Sequence, residues 1–399
     1  MSMTDNESNR SYVLDGCEFV VMAPNSWSGQ WMNRQQLFSR IGRYSKVIYS
    51  QGIPFSWELS GASQLFGNIK SYFKDDNNVT VDFPSSLLIR IGKIPVLNKF
   101  VLKLHSKNLV MQSNKTRVLY IFHPMFAEYI DTIDHDILVY HPYDDFSKQG
   151  VMSEQSVVEE ALLINQADIV ITPSLSLTQN LKVEYNREDI HTINNGVDFD
   201  AFSTGNINTQ ATEISSLAKP RICYIGSINI KVDLDLLYLL SNEYEHASII
   251  LIGNVGFLGQ KKSVFDKLKQ QKNVYFLGSK PHTELPAYAK AMDCLLMCYD
   301  TSPKLWAKYS YPLKLNEYLA TRVPVVSCEL SSVEGLEELV DVAYTNEEWV
   351  SSVRNILEGK YSKINAGYEY AAKQDWSNRV DAIVELLKCK LNEHKLSRH

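Results

Sequence analysis

Two groupings of polar side chains stand where chemistry could be done. The first is Lys314 and Glu317, which lie in residues 311–327, YPLKLNEYLATRVPVVS. Pro312 presets the backbone angle of a helix's first turn, and its missing N–H costs nothing there, so a helix starts beside it. Leu313, Leu315, Tyr318 and Leu319 then recur at helical spacing, which puts Lys314 and Glu317 off the apolar stripe. The unpaired N–H groups at such a helix's start form a ready anion site. The plain alternative is an amphipathic helix whose lysine and glutamate are merely solvated. The second grouping is His123, His141, Asp144 and Asp145. Residues 118–122 (VLYIF) run straight into His123-Pro124, and residues 136–140 (DILVY) into HPYDDF. Ligands of open α/β sheets sit beyond the carboxyl ends of the strands, so these four residues share one rim. A carboxylate or imidazole there can take the proton of a hydroxyl within hydrogen-bond reach. One of the two aspartates reads equally well as the cap of a following helix.

The elements that must position these groups alternate strand with helix. Residues 17–24 (CEFVVMAP) are an apolar run suited to a buried parallel strand, followed by the loop NSWSGQWMNR and the helically spaced QQLFSRIGRY. Trp27, Trp31 and Arg34 in that stretch are candidates for the floor of a cleft; the alternative is that both tryptophans cap the core. Further strands are read at 46–50 and 166–172, and a helix from Ser176. The string HTINNGVDFDAF at 191–202 carries an Asn-Gly turn signal after a strand end, and the polar stretch 204–219 reads as a linker. RICYIG then ends on Gly226, where absence of a side chain lets backbone approach a phosphate. Lys231, Lys304 and Lys308 are the cations at hand. Strands at 248–252, 273–278 and 293–298 and a helix near 285–291 lead into the loop 299–310, and Val323-Pro324-Val325-Val326-Ser327 is a short buried strand. Residues 331–340 (SSVEGLEELV) and 349–357 have helical spacing, and Trp376 opens a last helix.

With 399 residues, 45% hydrophobic and 22% charged, the chain suits two domains with ample cores and little disorder. A formal charge of -6 gives no global pull toward nucleic acid. No apolar run is long enough to span a membrane, and the polar first nine residues do not read as a secretory signal. The six cysteines are scattered, Cys294 and Cys298 read as small buried thiols in a reducing cytoplasm, and no metal site is legible. Residues 87–117 are unusual: Arg90, Lys93, Lys99, Lys103, Lys107, Lys115 and Arg117 interleave with apolar side chains and no acidic residue. A basic amphipathic segment in an acidic protein fits peripheral adsorption to an anionic lipid surface, the alternative being lysine stems packed over a core.

The string Pro-x-Lys-x-x-Glu-Tyr-Leu-Ala with Pro-Val-Val-Ser after it resembles the nucleotide-sugar helix of GT-B glycosyltransferases, enzymes of two facing Rossmann-like doubly wound domains. Asn-Gly-Val-Asp-x-x-x-Phe at 195–202, Asn-Val-x-Phe-Leu-Gly at 273–278 and Ala-x-Asp at 291–293 are similar to further elements of that family. The Trp-x-x-Arg-Gln-Gln-Leu of the first loop resembles the bacterial polysaccharide branch, including enzymes of teichuronic acid synthesis. The resemblance implies an N-terminal acceptor domain over 1–203, a linker over 204–219, a nucleotide-sugar domain over 220–375, and a helix over 376–399 that returns to the first domain. It implies transfer of a sugar from a UDP- or GDP-sugar to a hydroxyl of a glycan, lipid-linked in the fullest reading, at the cytoplasmic membrane face and without a metal. Donor-binding positions would be Gly226, Lys231, Lys304, Lys308, Tyr309, Lys314, Leu315 and Glu317, with Lys314 near the phosphates and Glu317 on the ribose. Asp144 leads the catalytic candidates, ahead of Asp145, His123 and His141. Two departures stand out. Ser227 occupies the place where many relatives have arginine, and Tyr309 the place of a second glutamate in the retaining branch. They keep open an inactive nucleotide-sugar-binding subunit, and a sugar-nucleotide 2-epimerase of similar architecture is the rival among enzymes.

Overall fold

The computed structural model describes residues 3–56, 71–91, 94–110, 113–146, 154–205, 212–302 and 311–397. The chain divides into two compact units, residues 1–194 with 377–399, and residues 195–376. Residues 199–205 and 212–219, read as the end of one domain and a linker, belong to the second unit.

In the first unit the strands are β1 (Cys17–Met22), β2 (Lys46–Ser50), β3 (Tyr72–Asp76), β4 (Val79–Phe83), β5 (Thr116–Ile121), β6 (Ile137–Tyr140), β7 (Ile169–Thr172) and β8 (Ile190–Thr192). They lie in the order β3-β4-β2-β1-β5-β6-β7-β8, parallel throughout apart from the β3–β4 hairpin. Every residue of CEFVVM in β1 is buried, as expected of a strand covered on both faces. The chain winds from β1 to one side and from β5 to the other, so the loops after β1 and β5 flank the point where a doubly wound sheet opens a ligand crevice. The helix Trp376–Ser397 begins at Trp376 in the second unit and continues in the first, where Asp381 takes the guanidinium of Arg10 from the helix Met3–Asp15.

In the second unit β9 (Arg221–Ile225), β10 (Ser248–Ile252), β11 (Val274–Gly278), β12 (Cys294–Met297), β13 (Val325–Ser327) and β14 (Asp341–Val342) form a parallel sheet in the order β11-β10-β9-β12-β13-β14. The corresponding switch point falls between β9 and β12. Residues 331–340, read as helical from their spacing, form a series of turns instead; Gly335 sits at φ +76, a left-handed conformation that ends any helix there. The sulfurs of Cys294 and Cys298 are buried and free.

The basic segment resolves into two kinds of residue. Arg90 and Arg117 are buried structural groups: Arg90 donates to the Ile53 carbonyl at 3.0 Å and stacks on Phe55, and Arg117 pairs with buried Glu18 at 2.7 Å. They leave the surface because each meets its partners inside the fold. Lys93 lies outside the described residues. The helix Pro95–Leu109 is anchored by His105, whose Nε2 lies 2.8 Å from Asp82 and whose Nδ1 lies 2.9 Å from the Tyr129 hydroxyl, all buried. Its outer face leaves Val96 (83%) and Phe100 (59%) exposed beside Leu97 and Leu104, with Lys99, Lys103 and Lys107 among them. Among the described residues no helix is long and apolar enough to cross a membrane.

Candidate functional site

The helix Leu313–Ala320 starts directly after Pro312, with Leu315, Tyr318 and Leu319 packed into the core of the second unit. Lys314 does not point to solvent as its place off the apolar stripe suggests. It is 9% exposed and lies over the Tyr224 ring at 3.7 Å and the Tyr299 ring at 4.8 Å. Tyr224 belongs to β9 and Tyr299 follows β12, so the lysine is held at the switch point of the sheet. Among the described residues it has no ion-pair partner. Burial pulls its ammonium down to about 7, with Cys298 and Glu317 acting weakly in the opposite sense.

Gly226 faces this ammonium. Its φ is +147, and a Cβ placed there would come 2.7 Å from Lys314 Nζ, so no side chain fits between them. Gly253, which ends β10, is closer still to its neighbour: a Cβ would fall 2.0 Å from the Gly226 carbonyl oxygen. Two glycines and a cation thus share one corner at the carboxyl ends of adjacent strands. Glu317, one turn after Lys314, is half-buried and lies 3.3 Å from His282 Nε2. His282 was not among the residues expected from sequence; the only hint is its place in the short loop after β11. The ring of Phe202, last residue of the Asn-Gly-Val-Asp string, packs edge-on to it. The same string meets the helix at its start, for Asn195 donates to the Tyr311 carbonyl at 2.7 Å and its own carbonyl accepts from Asn316 at 2.9 Å.

Other expected donor positions fare differently. Leu315 turns its side chain into the core, fully buried, so its side chain is structural. Lys231 is half-buried in a loop whose carbonyl accepts the Asp300 N–H at 2.8 Å, tying the loops after β9 and β12 together. Lys304, Lys308 and Tyr309 lie outside the described residues.

In the first unit, the loop after β1 and the turns after β5 and β6 converge. Trp27 is 2% exposed and packs on Tyr49 at 5.0 Å, while Trp31 is half-buried against it at 5.9 Å. Arg34, second residue of the helix Asn33–Ile41, lies over the Tyr143 ring at 4.2 Å and reaches Asn25. Gln35 braces the loop, accepting the Met32 N–H and donating to the Ser26 carbonyl, each at 3.0 Å. His141 is buried, stacked on Phe122 and 2.7 Å from the Tyr120 hydroxyl, and burial with Arg34 nearby holds its imidazole down to about 3. His123 accepts the Met125 N–H on Nδ1, capping the turn Pro124–Tyr129, and burial and Arg34 lower it to about 4. Asp144 is half-buried and accepts the Asp145 N–H at 3.0 Å. Asp145 is buried near Glu160, a carboxyl that burial lifts to about 7.

No family model matches the chain. Over 205 residues it is 29% identical to "Putative teichuronic acid biosynthesis glycosyltransferase TuaH" of Bacillus subtilis, a stretch that is 49% of this chain and 50% of that protein. The chain thus spans about half the length of that curated relative. Among solved structures, HepE of Anabaena in complex with UDP-glucose superposes with a TM-score of 0.66 at 16% identity, covering 94% of this chain and 99% of HepE. The α,α-trehalose 6-phosphate synthase of Burkholderia multivorans gives 0.67 at 10% identity, covering 96% and 98%. The sucrose-phosphate synthase of Thermosynechococcus elongatus gives 0.64 at 12%, with the same coverage. The fold is GT-B. Within a GT-B chain, the glycine corner with Lys314 and Glu317 belongs to the C-terminal unit, and the Arg34, His123, His141 and Asp144 group to the N-terminal one. Among the described residues no group of three or more His, Cys, Asp or Glu side chains could hold a metal ion.

Proposed function

We propose that the protein is a glycosyltransferase that takes a sugar from a nucleotide-sugar donor, a UDP-sugar first among them, and places it on a hydroxyl of a glycan acceptor. The observation that carries this reading is the buried Lys314 ammonium, without an ion-pair partner among the described residues and set against Gly226 at the switch point of the second sheet. A buried cation without a counter-ion is costly unless a ligand supplies one. A diphosphate would meet Lys314 and the glycine backbone there, and the fixed charge would stabilise the diphosphate as it leaves. Glu317, turned toward His282, would hold the ribose hydroxyls. UDP and UDP-glucose in the HepE complexes and the teichuronic acid name of the curated relative support a UDP-sugar and a cell-surface glycan. In the first unit Asp144 would serve as the base for the acceptor hydroxyl, and half-buried Trp31 of the same unit would offer a surface for a sugar ring.

The experiment is calorimetric titration with UDP and a panel of nucleotide sugars, followed by Glu317→Ala. Loss of charge-assisted hydrogen bonds to two hydroxyls should weaken donor binding by roughly 100-fold while the thermal midpoint stays near wild type, because Glu317 is half-buried and outside the core. Unchanged affinity would remove the donor site from this helix. Release of UDP from a bound donor only when a membrane extract is added would separate a transferase from an epimerase, which needs no acceptor.

The acceptor is proposed to be lipid-linked and the protein peripheral to the cytoplasmic membrane face. The support is the outer face of the helix Pro95–Leu109, where Val96, Leu97, Phe100 and Leu104 are exposed between three lysines. Apolar side chains would enter the acyl boundary while lysines meet anionic headgroups. Phe100→Glu should abolish flotation with vesicles containing anionic lipid and leave UDP binding untouched. Retained flotation would rule this face out as the contact.

A further inference from the structure

One buried cation of the first unit lacks the partners that the others have. Arg34 is 1% exposed, yet among the described residues no carboxylate pairs with it. Its polar neighbours are neutral: the side-chain oxygens of Asn25 and Asn33, and the hydroxyl of Tyr49. Among the described residues its Nε has no hydrogen-bond partner, and in the loop before its helix the buried indole Nε1 of Trp27 has none either. Both orphans are donors. The arginine also stands in the first turn of its helix, which carries no acidic residue, so the positive end of the helix adds to the guanidinium instead of being offset. The flanking imidazoles His123 and His141 are held neutral in part by this same charge.

A guanidinium removed from water costs several kcal/mol unless it is paired, and its planar fork matches a carboxylate or a phosphate. Arg90, also fully buried, shows what a structural arginine looks like in this unit: it reaches two backbone carbonyls and Glu128. Arg34 reaches no backbone carbonyl and no carboxylate among the described residues, only the amide oxygens of Asn25 and Asn33. Its surroundings are built from donors, neutral amides and aromatic faces, and the missing partner is an anion.

We infer that the substrate taken by the first unit presents an oxyanion, a carboxylate or a phosphate group, to Arg34, so that the acceptor is an acidic glycan or a phosphate-linked one. The inference rests on the reading above that this unit receives the acceptor, and it adds what distinguishes that acceptor. Neutral saccharides of the same shape would leave the guanidinium unpaired and bind weakly, as sites built around a buried polar group reject ligands that cannot satisfy it.

The test uses the full chain in calorimetry and thermal shift at fixed ionic strength. The probes are sodium phosphate, glucose 6-phosphate, methyl glucuronide and, as the neutral control, methyl glucoside. Binding of glucose 6-phosphate or methyl glucuronide, with methyl glucoside silent, is expected, and which of the two binds separates phosphate from carboxylate. Arg34→Gln should weaken that binding roughly tenfold or more. Asn25→Asp, nearly isosteric, places a carboxylate against the guanidinium; it should raise the thermal midpoint and weaken the anion similarly. This second variant keeps the test decisive if Arg34→Gln does not fold. UDP affinity in both variants should equal wild type. Failure of every anion to outbind chloride, or anion binding indifferent to Asn25→Asp, would overturn the assignment. Parallel loss of UDP affinity would overturn it too, by giving the cation to the donor. Absence of UDP binding in the wild type would instead sink the transferase reading and leave the anion result standing on its own.

Discussion

Replacing Lys314 with methionine is expected to weaken UDP binding about 100-fold and, at the same time, to raise the thermal midpoint of the unliganded protein. The two effects have one cause. The ammonium lies buried between Tyr224 and Tyr299 with no ion-pair partner among the described residues. Methionine keeps most of the stem's packing and removes the desolvated charge, a change of the kind that commonly stabilises by about 1 to 4 kcal/mol. What it cannot do is meet a diphosphate. A buried lysine with no ligand to meet would gain the same stability and leave UDP affinity alone, so the loss of affinity is what identifies a binding group.

The same lysine fixes a pH dependence. Burial brings its folded-state value down to about 7, whereas an unfolded lysine titrates near 10.4. Between those values the unfolded chain holds a proton that the folded chain has released, so stability rises with pH across that window. Below about 7 both states are charged and the burial penalty is present in full. The stability advantage of Lys314→Met should therefore be greatest at pH 7 and below and should shrink toward pH 10. Binding runs the other way. A diphosphate favours the ammonium form, so affinity should be highest below pH 7 and fall above it. At pH 8 complex formation should take up close to one proton, visible as a binding heat that varies with the buffer's ionisation enthalpy. Lys314→Met should abolish that variation. A buffer-independent heat in the wild type at pH 8 would place the phosphates elsewhere.

Gly226, Lys314 and Glu317 could be named from sequence because each lies in a continuous string with its own local logic, whereas Gly253 could not. Pro312 starts the helix, Gly226 ends a buried strand, and the buried runs CEFVVM, ILVY, SIILI and CLLM announce parallel strands by being apolar throughout. Contacts between distant strings carry no such signal. Nothing in KLNEY says that Lys314 will lodge between tyrosines 90 and 15 positions earlier in the chain, or that His282 will face Glu317. The β3–β4 hairpin escapes notice because Asn77 and Asn78 turn it at φ +48 and +65, positions where glycine would have been the clearer sign. The helical spacing of SSVEGLEELV misleads because periodicity does not register that Gly335 takes a left-handed conformation. Arg90 and Arg117 mislead in the same way: a run of basic residues looks like one surface until the fold supplies Glu18 and the carbonyls that draw two of them inside.

Asp144→Asn is expected to lower turnover about 1,000-fold while leaving UDP affinity at the wild-type value. The four sequence candidates are separated by their surroundings. His141 is buried to 2% exposure, already engaged with Tyr120, and held near 3. His123 spends Nδ1 on the Met125 N–H and is held near 4. Imidazoles so lowered are weak bases at pH 7, and in His123 the nitrogen that could accept a proton is occupied. Asp145 is buried beside Glu160, a carboxyl that burial keeps largely protonated up to about pH 7 and that Asp145 helps to raise. That arrangement suits a braced internal pair. Asp144 alone of the four is a half-buried carboxylate on the rim, fixed in place by the Asp145 N–H it accepts. Asp145→Asn should accordingly cost stability and only a modest part of turnover, and His123→Gln should leave the shape of the pH–rate profile unchanged. The decisive comparison is donor-dependent UDP release in the two asparagine variants, with membrane extract as the acceptor source. If the large loss follows Asp145 instead, the proton leaves the acceptor toward the interior carboxyl pair, and Glu160 rather than the rim residue becomes its destination.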